Sequence, residues 1–179
     1  MGSLLLHPLK KNVLASHKQV TLDVIDYHVR AGNAYYAWDN TTNIGGETTP
    51  ADTIEIYFTT PAATSKEICA MFSGYCSIAA AVFVLREAYT AGGGASGDAV
   101  LAINYNRSSE NSSSLTILKQ ADAITSGGTV LWTEILAAGK RTVGHTNHYW
   151  ILKPATAYGV SVFLNGAGVA DVCMHWYER

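Results

Sequence analysis

The sequence predicts an all-β protein: one antiparallel β-sandwich domain, 20–179, behind a short N-terminal arm, 1–19. Three observations carry this expectation. Apolar and polar residues alternate with period two in short runs such as Ile54-Glu55-Ile56-Tyr57-Phe58-Thr59. Gly, Pro and Ser turns separate roughly eight to ten such runs at intervals of about 10–18 residues, as in a sandwich or barrel. The chain also finishes on aromatic and β-branched residues up to Met174-His175-Trp176-Tyr177-Glu178, which reads as a strand tied into the middle of a sheet.

The elements follow in order. Leu4 to Lys18 keeps neither a strand nor a helix period, contains Lys10, Lys11 and Lys18, and precedes the first acidic residue, Asp23; it reads as an arm, either extended over a neighbour or a poorly ordered terminus. Val20 to Val29 alternates and is expected as a strand. Asn33 to Asp52 holds Gly, Asn, Thr and Pro around Tyr35-Tyr36-Ala37-Trp38 and reads as a long loop. Its aromatics either anchor that loop to the core or form a ligand platform. Ile54 to Thr59 is a strand halted by Pro61. Glu67 to Phe72 and Ile78 to Arg86 are expected as strands separated by Ser73-Gly74-Tyr75.

A Gly-rich turn, Gly92 to Gly97, leads into Ala99 to Tyr105, and a polar tract follows to Ser114. Within it, Arg107 is expected to bond carbonyls and amides of a tight crossover, with contact to an acidic partner as the alternative. Ser114 to Lys119, Thr129 to Ile135, the run from His148 that stops at Lys153-Pro154, and Tyr158 to Leu164 complete the strand set. Gln120 to Ile124 and Thr133 to Ala138 are the segments that pass for helix. Connections this long favour crossovers between two sheets, as in a jelly roll, over a simple meander.

Composition narrows the function. The 179 residues carry a formal net charge of −2, which argues against a nucleic-acid footprint. Charged residues make up 15%, well below the usual ~25%. A weakly charged surface suits packing against copies of itself. The cysteines, Cys69, Cys76 and Cys173, lie in apolar runs without framework spacing and read as free thiols. No secretory signal or membrane-length apolar run is evident, so the expectation is a protein made in a reducing cytoplasm, with no membrane partner.

The residues also lack a pattern that carries catalysis. His145 and His148 sit three apart without the further ligands a zinc site needs. Serines are plentiful, but no Gly-x-Ser-x-Gly elbow holds one. Cys173 and His175 share a strand face, which alone does not make a thiolate–imidazole pair. The Gly-rich turn lacks the Lys-Ser/Thr of a phosphate loop. Three glycosylation-type sequons, beginning at Asn40, Asn106 and Asn111, read as turn chemistry. The reading is therefore a non-enzyme, with no cofactor and no metal.

A resemblance enters on the order of several segments. These are the Gly-rich turn, Asn104-Tyr105-Asn106-Arg107-Ser108-Ser109, Ser114-Leu115-Thr116-Ile117-Leu118, Trp150 to Tyr158 with its Lys153-Pro154, and the ending His175-Trp176-Tyr177-Glu178. Over roughly Thr53 to Glu178 the chain resembles small virion-associated proteins of tailed bacteriophages, jelly-roll sandwiches that serve as capsid decoration, cement or head-fibre components. It departs from them at Ala155, where Asn is expected, and at Gly159, where a bulkier residue is usual.

The resemblance implies a capsid decoration or cement protein on the virion surface. Its partners would be the major capsid protein and copies of itself, as a small homo-oligomer of which a trimer is one form. Contact is expected through Lys10, Lys11 and Lys18 of the arm and Tyr35, Tyr36 and Trp38 of the aromatic segment. The alternative is a carbohydrate-binding head- or tail-fibre module, in which the aromatics stack on sugar rings.

Overall fold

The computed structural model describes residues 26–44, 53–62, 66–88, 98–119, 128–142 and 149–179. The expected arm with Lys10, Lys11 and Lys18 lies outside the described residues, as do the Gly92–Gly97 turn, Gln120–Ile124, His145 and His148.

The strands are β1 (Ala34–Ile44), β2 (Thr53–Thr59), β3 (Ile68–Cys76), β4 (Ala81–Glu87), β5 (Ala99–Val100), β6 (Ile103–Asn104), β7 (Ile117–Lys119), β8 (Thr129–Leu136), β9 (Trp150–Ile151), β10 (Ala157–Leu164) and β11 (Gly168–Glu178). One sheet has the order β6-β1-β11-β3-β9, the other β5-β7-β2-β10-β4-β8, and all pairs are antiparallel. The all-β sandwich expected from the sequence is the fold observed. The closing strand β11 sits in the centre of its sheet, between β1 and β3.

The core lies between the sheets. Alternate residues of β11 (Val172, Met174 and Trp176) are buried, as are Tyr158, Val160 and Val162 of β10 and Phe58, Phe72 and Phe83 of their neighbours. Removing each such side chain from water stabilises the fold by about 1.5–3 kcal/mol. Cys69 and Cys76 are buried and Cys173 is partly exposed; all three are free thiols.

Several expectations are corrected. The end of the expected Val20–Val29 strand, residues 26–30, is a single helical turn. Asp26 and Arg30 close an i,i+4 ion pair at 2.7 Å, and Ala31 N donates to Tyr27 O at 2.8 Å. Gly32, at φ +73°, ends the turn; a Cβ there would also meet Ser109 Oγ at 2.0 Å.

The expected loop from Asn33 begins with the long strand β1. Its period is hidden because one face carries Ala37 beside Tyr35 while the other carries Tyr36 and Trp38, so both faces look apolar. Ser73-Gly74-Tyr75 has turn composition yet lies inside β3, and the turn comes at residues 77–80. Gly74 is there for close approach: a Cβ would lie 2.7 Å from Phe83 Cδ2.

The stretch from Thr133 that passed for helix belongs to β8, and Trp132 of that strand packs at 4.5 Å on Phe83. Ala99–Tyr105 is split between the two sheets as β5 and β6. Strand β7 begins only at Ile117, because Ser113 and Ser114 are held by Glu178 instead of by a neighbouring strand.

Candidate functional site

The outer face of the β6-β1-β11-β3-β9 sheet builds the candidate site. Alternation along β1 turns Tyr35 and Ala37 into the core, which leaves Tyr36 and Trp38 outside. Register then places Tyr36 opposite His175 and Trp38 opposite Cys173, with Ser73 of β3 next to Cys173. Tyr105, following β6, closes over this row: its ring centroid lies 5.1 Å from Tyr36 and 6.0 Å from His175. Together with Asn104, Arg107 and Arg141 these residues line a shallow, solvent-open cavity of about 610 Å³. Trp38 and Tyr105 remain 50% and 42% exposed, so part of each side chain is within reach of a ligand.

The floor is hydrogen-bonded and chemically quiet. His175 Nδ1 pairs with the Tyr105 hydroxyl and Nε2 with Cys173 Sγ at 3.2 Å. Burial holds the His175 imidazole below its ordinary range, so the ring is neutral at pH 7. Burial, aided by Asp171, pushes the Cys173 thiol up to about 11, and burial pushes Tyr105 up to about 12. A protonated thiol beside a neutral imidazole is not an activated nucleophile. The arrangement fixes ring orientations for binding.

The arginines supply the charge. Arg141 lies 5.3 Å over the Tyr75 ring and 4.0 Å from Asp171, at the outer limit of an ion pair. Arg107 does not make the crossover bonds expected of it. Among the described residues that network is made by its neighbours: Asn104 Nδ2 donates to Gly32 O at 2.8 Å, Asn106 Nδ2 to Arg30 O at 3.1 Å, and Asn111 Nδ2 to Ala31 O at 3.1 Å. These bonds pin the helical turn to the crossover, and Arg107 is among the residues that line the cavity.

The chain matches no family model, no curated protein and no solved structure. The site is therefore read from its own geometry.

Of the expected contact residues, Tyr36 and Trp38 come together at this cavity. Tyr35 does not: it is 1% exposed, stacks at 5.6 Å on Trp176 and donates its hydroxyl to Gly32 O, so it belongs to the core. The expectation of Tyr35 as a contact residue is corrected. Tyr105, His175 and Arg141 were not singled out as contact residues. The period of β11, which alternates Cys173 and His175 with buried Met174 and Trp176, is the sequence signal that points to part of this face.

Beyond the cavity, the same face is closed at one end by His28, which stacks on Tyr177 with centroids 4.5 Å apart. Burial, with Arg179 nearby, holds the His28 imidazole below its ordinary range. His28 and His175 therefore resist protonation in the folded chain more than in the unfolded one. Their contribution to stability is present above pH ~6.5 and is lost as pH falls below that value toward the lowered folded pKa. Thermal melts should show Tm falling between pH 7 and pH 5, with a shallower fall in His28→Phe, which keeps the stack without the titration. A flat profile across that interval would contradict this assignment.

Proposed function

We propose that the protein is a structural component of a tailed-bacteriophage virion, a decoration or cement protein of the head shell. The supporting observation is the strand pairing. β4 pairs with β8, β3 with β9, β2 with β10 and β1 with β11, so the pairs are nested like one long antiparallel hairpin rolled across two sheets. We read this nesting as jelly-roll-like, with β5, β6 and β7 lying in sequence between β4 and β8.

The segments that carry the resemblance fasten this roll. Asn104 and Asn106 bind the crossover to the helical turn. Lys153 N donates to the Tyr158 hydroxyl at 2.9 Å, which donates in turn to Glu87 at 3.0 Å, while Lys153 Nζ meets Glu87 at 2.6 Å. Glu178 gathers Lys66, Ser113 and Ser114. Ala155, where the resemblance expects Asn, holds φ +47°, a conformation that Asn tolerates better than Ala.

A cement protein acts by burying surface across subunit boundaries, and it stabilises the shell by binding only the assembled state. A sandwich of low charge, presented as a small closed oligomer, fits that task. The arm with Lys10, Lys11 and Lys18 is assigned the contact with the major capsid protein. Purified protein mixed with heads that lack it should co-sediment saturably and raise the temperature at which the heads rupture, and removal of residues 1–19 should weaken binding at least tenfold. Absence of binding at micromolar concentration would overturn the reading.

A further inference from the structure

We propose that the cavity on the outer face of β1 and β11 binds an acidic saccharide, a pyranose chain carrying carboxylates. Its volume of about 610 Å³ lies inside the range of about 300–1,000 Å³ typical of small-ligand sites. The inference does not rest on the virion reading, since any partner bearing such a glycan would be recognised by the same face.

Three features select this occupant. Trp38 and Tyr105 present large aromatic surfaces that are half exposed, which suits the apolar C–H face of a sugar ring while the ring hydroxyls stay in water. The orientation of Tyr105 is fixed before a ligand arrives, since it is hydrogen-bonded to His175 and packed on Tyr36, and Trp38 projects beside it from a strand within the sheet. Such preorganisation lowers the entropy cost of binding.

The third feature is charge. Among the described residues, two arginines, Arg107 and Arg141, line the cavity and no carboxylate does. Arg107 has no acidic partner among the described residues, and Arg141 reaches Asp171 only at 4.0 Å. Both retain planar N–H donors of the geometry that takes a carboxylate in a bidentate pair. A neutral sugar would leave these charges unused. An aliphatic or purely aromatic ligand would likewise make no use of them.

The test is saturation-transfer NMR and titration with two acidic probes, oligogalacturonate and oligosialate, each beside its carboxyl-reduced counterpart. The expected result is binding of at least one acidic probe, at least tenfold tighter than its reduced form. Trp38→Ala should weaken it at least tenfold, and Trp38→Tyr should retain it. Arg107→Gln with Arg141→Gln should erase the preference for the acid. Equal binding of acidic and reduced forms, no binding of either acidic probe, or undiminished binding by Trp38→Ala would overturn the proposal. The arginine variants are exposed substitutions that leave the core intact, so they decide the matter even where Trp38→Ala proves poorly folded. Sedimentation with heads is scored separately, and its failure would count against the virion reading alone.

Discussion

Glu178→Ala is expected to lower the stability of the fold by about 3–5 kcal/mol, because several donors lose the acceptor they share, at about 1–3 kcal/mol for each that stays out of water. Glu178 closes the central strand and its side chain is fully buried. Its Oε2 accepts from Lys66 Nζ at 2.8 Å, and Oε1 accepts from Ser113 Oγ and Ser114 N, both at 2.8 Å, with Trp176 Nε1 at 3.4 Å. Burial alone pushes the carboxyl pKa up, but these donors outweigh it and hold the group below its ordinary value.

Alanine strands the donors from the serines and the indole, whereas Lys66 can return to water. Glu178→Gln keeps an acceptor for the serines and should cost less, about 1–2 kcal/mol. Because the folded pKa is lowered, this stabilisation is present above pH ~4.5 and is lost as pH falls through the folded value. Urea melts of the two variants check the ranking. A loss below 1 kcal/mol for the alanine variant would show that the network is dispensable.

Phe83→Ala should cost a similar amount, about 3–5 kcal/mol, through the cavity it leaves. Phe83 is 0% exposed and packs between the sheets, with Trp132 at 4.5 Å and the bare backbone of Gly74 beneath it. Gly74→Ala probes the same contact from the other side, since its Cβ would stand 2.7 Å from the ring and 3.2 Å from Val162 Cγ2. Overpacking of that kind costs about 1–3 kcal/mol. If the contact is as described, the two substitutions combined lose less than the sum of their separate losses, because the methyl enters space the ring has left. Strict additivity would contradict this packing.

What the sequence disclosed follows from what the residues spend their character on. β2 and β11 were legible because one face of each meets the core and the alternation is visible. β1 was not, because Trp38 and Tyr36 put aromatics on the face that solvent reaches. Gly74 misled because glycine serves close packing as well as turning, and local composition does not distinguish the two.

The candidate site was half legible. Tyr36 and Trp38 could be read from their neighbourhood in the chain. Tyr105, Arg141 and His175 reach them only through strand pairing across the sheet, between residues as far apart as Tyr36 and His175. Tyr35 shows the converse: an aromatic neighbour in sequence is turned to the opposite side by the pleat.

The proposed role on the virion is tested most directly by electron cryomicroscopy of phage particles from an infection that expresses this chain. The account predicts regular copies of the sandwich over the shell, bridging neighbouring capsid subunits, with residues 1–19 at the contact. Density confined to the tail or a single vertex, or its absence from the particle, would contradict it.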